Sequence, residues 1–241
     1  MQDERAYTHV DHTSVLLGNR WLEREWSAFM GHTVRLIHKP GNVEWLTENS
    51  PELRLACGGD VLGLMDLGAV EWSEEQSPQG ASVVSRQTSD SFVVAVKTMA
   101  LHDEPALFRR VTIMNRTRAE ITLDAAAVEL LPVELAVCTG AEAVLPASPW
   151  ELATGFSVQR AGRHLVAACE QGLTSELNED DGLVLRTAEP ITVPPGKTAA
   201  LPEVLMMLGP GSPQQSLAAN YPAASNAVRA WKRWAAERGE A

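Results

Sequence analysis

Cysteine is scarce in this chain: Cys57, Cys138 and Cys169 are the only three in 241 residues, far apart and odd in number. That argues against a disulfide frame and a C-x-x-C metal motif, and it fits reduced, buried thiols in a cytoplasmic protein. The sequon Asn115-Arg116-Thr117 then has no expected use. No apolar run approaches the roughly 20 residues that a spanning helix needs. The start, "MQDERAYTHVDH", is charged and lacks the apolar stretch of a secretory signal. Basic clusters are missing too. Acidic residues outnumber basic ones 31 to 20, the net charge is −11, and no basic cluster is longer than a pair such as Arg109-Arg110. Nucleic acid and anionic membranes, which reward clustered Lys and Arg, are therefore not expected partners. There is no G-x-S-x-G, P-loop or dinucleotide fingerprint, so no cofactor is expected. His9, His12, His32 and His38 share no metal-ligand spacing on one element, and no metal site is expected. The acidic "NEDDG" (178–182) lacks the ligand spacing of a calcium loop and reads as a solvated hairpin turn.

What the chain does have is a succession of short alternating segments. In "SVLLGNRWLEREWS", Val15 to Leu17 reads as a strand, Gly18-Asn19 as a turn and Trp21 to Trp26 as the returning strand. Arg20, Leu22, Arg24 and Trp26 share one face of it. A second hairpin runs from Thr33 to His38, turns at Lys39-Pro40-Gly41-Asn42 and returns over Val43 to Leu46. Further strand candidates lie at 70–75, 81–101, 108–115 and 119–131, followed by "GFSVQRAG", "HLVAACEQG", "GLVLRTAEP", "ITVP" and "LPEVLMMLG". Strands about ten residues apart, without long helices between them, predict an all-β protein: a large two-sheet antiparallel sandwich over 1–211. Hydrophobic residues make up 45% of the chain, enough to fill its core.

Residues 212–241 change character. Ser212, Pro213 and Gln215 form a capping box with proline at the first helical position. Leu217 and Tyr221 then share a helix face, Pro222 is expected to end that helix, and Ser225 to cap a second one. The second helix carries an apolar stripe of Val228, Trp231, Trp234 and Ala235. Two tryptophans on a short terminal helix predict packing on the sandwich, or a homo-oligomer contact through Trp231 and Trp234.

Three stretches resemble the galactose mutarotase-like β-supersandwich superfamily, and above all the N-terminal sandwich domains of large glycoside hydrolases. "VLLGNRWLEREWS...GHTVRLIHKPGNVEWL" is similar to their opening hairpins, "LFRRVTIMNRTRAEITLDAAAVELLP" to their central hairpin, and "ITVPPGKTAALPEVLMMLGPGSPQQSLAANYPA" to their ending. The resemblance implies a supersandwich and carbohydrate as the ligand class. In the epimerases of that superfamily a histidine after the central hairpin acts as general acid and a glutamate near the C-terminus as base. The matching stretch here, "DAAAVELLPVEL", has no histidine, and Glu203 is the only carboxylate on the final strand. Proton transfer on both sides of a sugar ring needs both groups. No catalytic residue is therefore assigned, and a binding or glycosidase-associated protein is favoured over an epimerase, lyase or hydrolase-like enzyme with relocated groups, or a pure assembly module.

Glu129 is the sharpest candidate for a carbohydrate-binding group. In a regular strand it shares a face with Ile121, Leu123, Ala125 and Ala127, and the small residues at 125–127 would leave room for a sugar. The alternatives are a strand end reaching water and a buried carboxylate paired with Arg109 or Arg110. His102, in "HDE" after a strand, is a second candidate; a simple strand exit before Pro105 explains it equally. Trp150 and Glu151, after "PASP", resemble an aromatic platform beside a hydrogen-bonding acid, or a loop tryptophan folded onto the core.

Overall fold

A computed structural model describes residues 5–133, 138–142, 152–160, 162–178, 182–210 and 212–239. The chain opens with β1 (Tyr7–Val10), β2 (Ser14–Gly18), β3 (Leu22–Ser27), β4 (Thr33–His38) and β5 (Val43–Glu44), a five-stranded antiparallel sheet in sequence order. The hairpin β6 (Arg54–Cys57) and β7 (Asp60–Gly63) follows. Next come the long strands β8 (Val70–Ser77), β9 (Gly80–Thr88), β10 (Phe92–Leu101) and β11 (Ala106–Asn115), and then β12 (Ile121–Leu123) and β13 (Ala125–Leu131). The second half adds β14 (Cys138–Glu142), β15 (Leu152–Arg160), β16 (Arg163–Glu170), β17 (Leu173–Asn178), β18 (Gly182–Thr187), β19 (Ile191–Val193), β20 (Thr198–Ala200), β21 (Val204–Pro210) and one helix, α1 (Pro213–Glu237).

The large sheet has the order β14-β15-β16-β21-β11-β10-β9-β8, with β20 paired to β11 beyond the end of β21. A third sheet runs β17-β18-β13-β6-β7, and β12 pairs β19. The described pairings are all antiparallel, as the all-β expectation requires. One face of the large sheet, carrying Val94, Val96, Leu107, Val111, Leu165, Val204 and Met206, packs onto the inward residues of the smaller sheets, among them Leu17, Leu22, Trp26, Leu36, Leu55, Val128 and Leu185. Period-two alternation of β-branched and apolar residues along β10 and β11 gives both of their faces something to bury. The β2–β3 turn is fixed by Asn19. Its Oδ1 accepts from the N–H groups of Trp21 and Leu22 at 2.9 and 3.1 Å, and its Nδ2 donates to the carbonyls of Leu101 and Glu104, each at 2.8 Å. Gly18 beside it admits no Cβ, which would lie 2.7 Å from the Leu22 carbonyl oxygen.

The opposite face of the large sheet is covered in part by α1. Leu217, Tyr221, Ala224, Val228, Trp231 and Ala235 form its buried stripe and pack on Met99, Leu101, Phe108, Val166, Leu205 and Met207. The capping box at Ser212 and Gln215 is present, but the expected break is not: one helix runs through Pro222. Proline there removes the bond to the Ala218 carbonyl and crowds that carbonyl with its ring, a cost of about 3 kcal/mol. The stripe continues at spacings of four and three on both sides of it, so burial against a single sheet face holds the helix together. Trp231 is 1% exposed and its ring lies 5.2 Å from that of Phe108. Trp234 is half-buried at the edge. The apolar surface of Trp231 is thus consumed within its own chain.

Trp231→Ala is expected to lower the unfolding free energy by about 3–5 kcal/mol, and Trp234→Ala by less than half as much. Urea denaturation checks this; equal effects, or none, would show that α1 is not docked as described.

Candidate functional site

The central hairpin is where an assumption of regularity fails. β12 and β13 are separate strands in different sheets, and β13 carries a bulge between Ala127 and Glu129. Before it, Ala127 pairs with Arg186 and looks away from the core; after it, Glu129 pairs with Leu185 and looks inward with Leu131. The extra residue, Val128, resets the two-residue phase. Ala125 and Ala127 therefore do not share a face with Glu129, and the space expected over those alanines does not adjoin its carboxylate.

Glu129 is instead part of a four-charge cluster in the core, with a relative exposure of 0%. Arg24, also 0% exposed, grips it with two parallel bonds, Nη2 to Oε1 at 2.7 Å and Nη1 to Oε2 at 3.1 Å. The same Nη2 reaches Glu52 Oε1 at 2.7 Å, and Nε donates to Thr33 Oγ1 at 2.8 Å. Arg109 completes the ring. It pairs with Glu52 through Nη1, donates from Nη2 to the Glu52 carbonyl at 2.9 Å and from Nε to the Val128 carbonyl at 2.8 Å, and lies 3.5 Å from Glu129 Oε2. Thr33 also bonds Glu52. Two guanidinium and two carboxylate groups give no net charge. Burial opposes the Arg24 charge, but Glu129 and Glu52 outweigh it and hold the guanidinium above its ordinary value. Burial likewise opposes the Glu52 charge, and Arg109 and Arg24 bring its carboxyl below the usual range. Cys169, on β16, is pushed up to about 12 by burial and by Glu129, so it is an inert thiol.

The other candidates fall elsewhere. His102 accepts from the Ala6 N–H at Nδ1 and meets the Ser77 carbonyl at Nε2, both at 3.1 Å, so its ring ties the N-terminal arm to the β8–β9 turn. Trp150 and Glu151 lie outside the described residues. Glu203, on the approach to β21, is 6% exposed and bonded to Lys232 of α1, with Arg110 Nε 3.6 Å away. Burial raises its pKa, partly offset by Lys232. Among the described residues no group of three or more His, Cys, Asp and Glu could hold a metal ion, and no helix is long and apolar enough to cross a membrane.

An open cavity lies on the outer face of the large sheet, beside α1. It has a volume of about 370 Å³ and is lined by Val84, Ala95, Lys97, Arg110, Thr112, Thr198, Ala200 and Trp231. A second, of about 510 Å³, lies between the β16–β17 turn and the β18–β19 turn and has no charged lining group but Glu189. A change of partner along β11 makes room for the first. β21 pairs as far as Arg109–Val204, β20 takes over from Thr112–Ala200, and residues 201–203 loop between them. Lys97 and Arg110 sit directly opposite one another on β10 and β11. The sequence carried a signal for this site. On the outward phase Ala106-x-Phe108-x-Arg110-x-Thr112, and on Ala95-x-Lys97-x-Met99-x-Leu101, cations interrupt residues that are otherwise mostly apolar. The pairing of those two interruptions, and the arrival of Trp231 over them, depends on tertiary structure.

The fold is the galactose mutarotase-like β-supersandwich. A galactose mutarotase-like protein from Lactobacillus casei ATCC 334 superposes with a TM-score of 0.52 at 9% identity, over 85% of this chain and 100% of that one. A galactose mutarotase related enzyme from Lactobacillus acidophilus gives 0.50 at 7%, over 86% and 98%. The α-N-acetylgalactosaminidase NagBb from Bifidobacterium bifidum gives 0.54 at 10%, over 97% of this chain but 39% of the hydrolase. No family model and no curated protein matches the chain by sequence.

Glu129→Gln is expected to destabilise the protein by about 3–5 kcal/mol, because it leaves two buried guanidinium groups facing one carboxylate. Denaturant unfolding measures this. A change under about 0.5 kcal/mol, the range of ordinary surface substitutions, would mean that the carboxylate is not buried in such a cluster.

Proposed function

We propose that the protein is a carbohydrate-binding supersandwich that recognises a monosaccharide-sized unit in the cavity between the large sheet and α1, and that it does not by itself process the sugar. The observation that carries this reading is the composition of the cavity wall. Two hydroxyls and two cations stand beside Val84, Ala95, Ala200 and the remaining edge of the otherwise buried Trp231, in a volume typical of small-ligand sites. Hydroxyl-rich ligands with apolar C–H faces match such a mixture. Among the described residues the wall contains no histidine and no carboxylate, the groups that serve as acid and base in sugar ring opening. The shared fold with a galactose mutarotase-like protein and with part of an α-N-acetylgalactosaminidase supports the ligand class by analogy. The second of these also supports a role as the recognition part of a glycosidase system.

A second reading rests on Glu203. A buried carboxyl with a raised pKa, next to a cavity-lining arginine, has the character of an acid–base group. One experiment separates the two. Calorimetric titration with galactose, glucose and N-acetylgalactosamine is expected to give saturable binding to at least one sugar. Replacing both hydroxyls, Thr112→Val with Thr198→Val, should weaken it about fivefold or more, since each neutral hydrogen bond contributes about 0.5–1.5 kcal/mol. Polarimetry of fresh α-galactose and α-glucose should show no acceleration. Acceleration lost in Glu203→Gln would replace the binding reading with a catalytic one, and absence of binding to every sugar would overturn it.

A further inference from the structure

The cavity wall has a charge asymmetry that a neutral sugar does not explain. In a chain of net charge −11, the two charged side chains lining this cavity are both cations. They are cross-strand partners, an arrangement that is destabilising for like charges unless something else answers them. Each has a carboxylate beside it, and both carboxylates lie outside the lining: Glu75 binds Lys97, and Glu203 lies near Arg110. Neither answers Arg110 fully. Its Nε is 3.6 Å from Glu203 Oε1, beyond hydrogen-bond distance, and is buried with no partner. Glu203 is engaged by Lys232, which also lies 3.3 Å from Glu170. Lys97 is held in place by Glu75 and by the Trp231 ring, 4.8 Å from its Nζ. A planar guanidinium offers five donors in a fork that matches the two oxygens of a carboxylate or phosphate. A half-buried guanidinium whose Nε meets no hydrogen-bond acceptor among the described residues, beside an ammonium and two hydroxyls, suits an acceptor-rich anion.

We infer that the cavity selects an acidic saccharide, whose carboxylate or phosphate oxygens bind Arg110 and Lys97 while its hydroxyls meet Thr112 and Thr198. The inference rests on the carbohydrate reading above and narrows it to an anionic sugar.

The test is a set of titrations of the full chain with galactose, galacturonate, glucose, glucuronate, glucose 6-phosphate, acetate and inorganic phosphate. An acidic sugar is expected to bind at least about tenfold more tightly than its neutral counterpart, the worth of one charge-assisted hydrogen bond. Arg110→Gln should abolish that preference, and Arg110→Lys should restore part of it. Raising salt should weaken the acidic sugar and leave neutral sugars unaffected. The salt series uses the native chain, so it decides the question even if the variants fold poorly. A preference for the uronates or for the phosphate identifies which oxyanion is bound. Equal binding of neutral and acidic sugars, unmoved by salt and by Arg110→Gln, overturns the charge selectivity and leaves the carbohydrate reading standing. Acetate or phosphate binding as tightly as the acidic sugars overturns the saccharide part. No binding of any sugar overturns the carbohydrate reading and this inference with it.

Discussion

Four charges buried together set the terms for the rest of this fold. Arg24 comes from the first sheet, Arg109 from the large sheet, Glu129 from the third and Glu52 from the turn between the first and third. Each ion alone would cost several kcal/mol to remove from water, so none of these elements can shift without stranding a charge. The backbone bends to meet that demand. Glu52 adopts a left-handed conformation, φ 67°, in which its carboxylate and its own carbonyl both face Arg109. The bulge at Val128 turns Glu129 inward and sends the Val128 carbonyl to Arg109 Nε. A cluster of this kind adds little net stability compared with well-packed apolar residues. What it fixes is the register between three sheets whose other core contacts are mostly exchangeable aliphatic ones, with Asn19 adding a polar tie at one end.

That closed interior leaves the other face of the large sheet as the one with an open cavity beside α1. The inner face is filled by side chains of the smaller sheets. On the outer face α1 covers the half that carries Met99, Phe108, Val166 and Leu205. Trp231, the largest residue of that helix stripe, borders the half left open, where Lys97, Arg110, Thr112 and Thr198 stand. The helix therefore has two roles: it buries an apolar strip of the sheet and it supplies one wall of the cavity.

Much of this architecture was legible in the sequence, because strand alternation and turn residues act over a few positions. The β4 strand, Thr33–His38, and the capping box at Ser212 are local features and stand where the residues place them. Glu129 was conspicuous for the same reason, a carboxylate next to apolar residues, and Arg109, one of the two partners the sequence suggested, does lie 3.5 Å from it, but its bidentate partner was not foreseen. Arg24 lies 105 residues away, in the apolar phase of Leu22 and Trp26, where an arginine is just as anomalous. Two anomalies of opposite sign in two core phases are a readable hint of a buried pair. Glu52, in a turn with no periodicity, offers none. Pro222 misled because a proline penalty of a few kcal/mol reads as a stop locally, whereas burial of the stripe on both sides outweighs it. The cavity was least legible of all, since it arises from a change of strand partners along β11.

The most direct test of the central role of the cluster is a double-mutant cycle on Arg24→Met and Glu129→Leu, followed by denaturant unfolding. Removing both members leaves Arg109 paired with Glu52 and no uncompensated charge. The double variant should therefore unfold with a free energy closer to that of the native chain than either single variant, with a coupling of at least about 2 kcal/mol. Single-variant losses that simply add in the double variant would contradict a coupled, fully buried cluster as the constraint that fixes the register of the sheets.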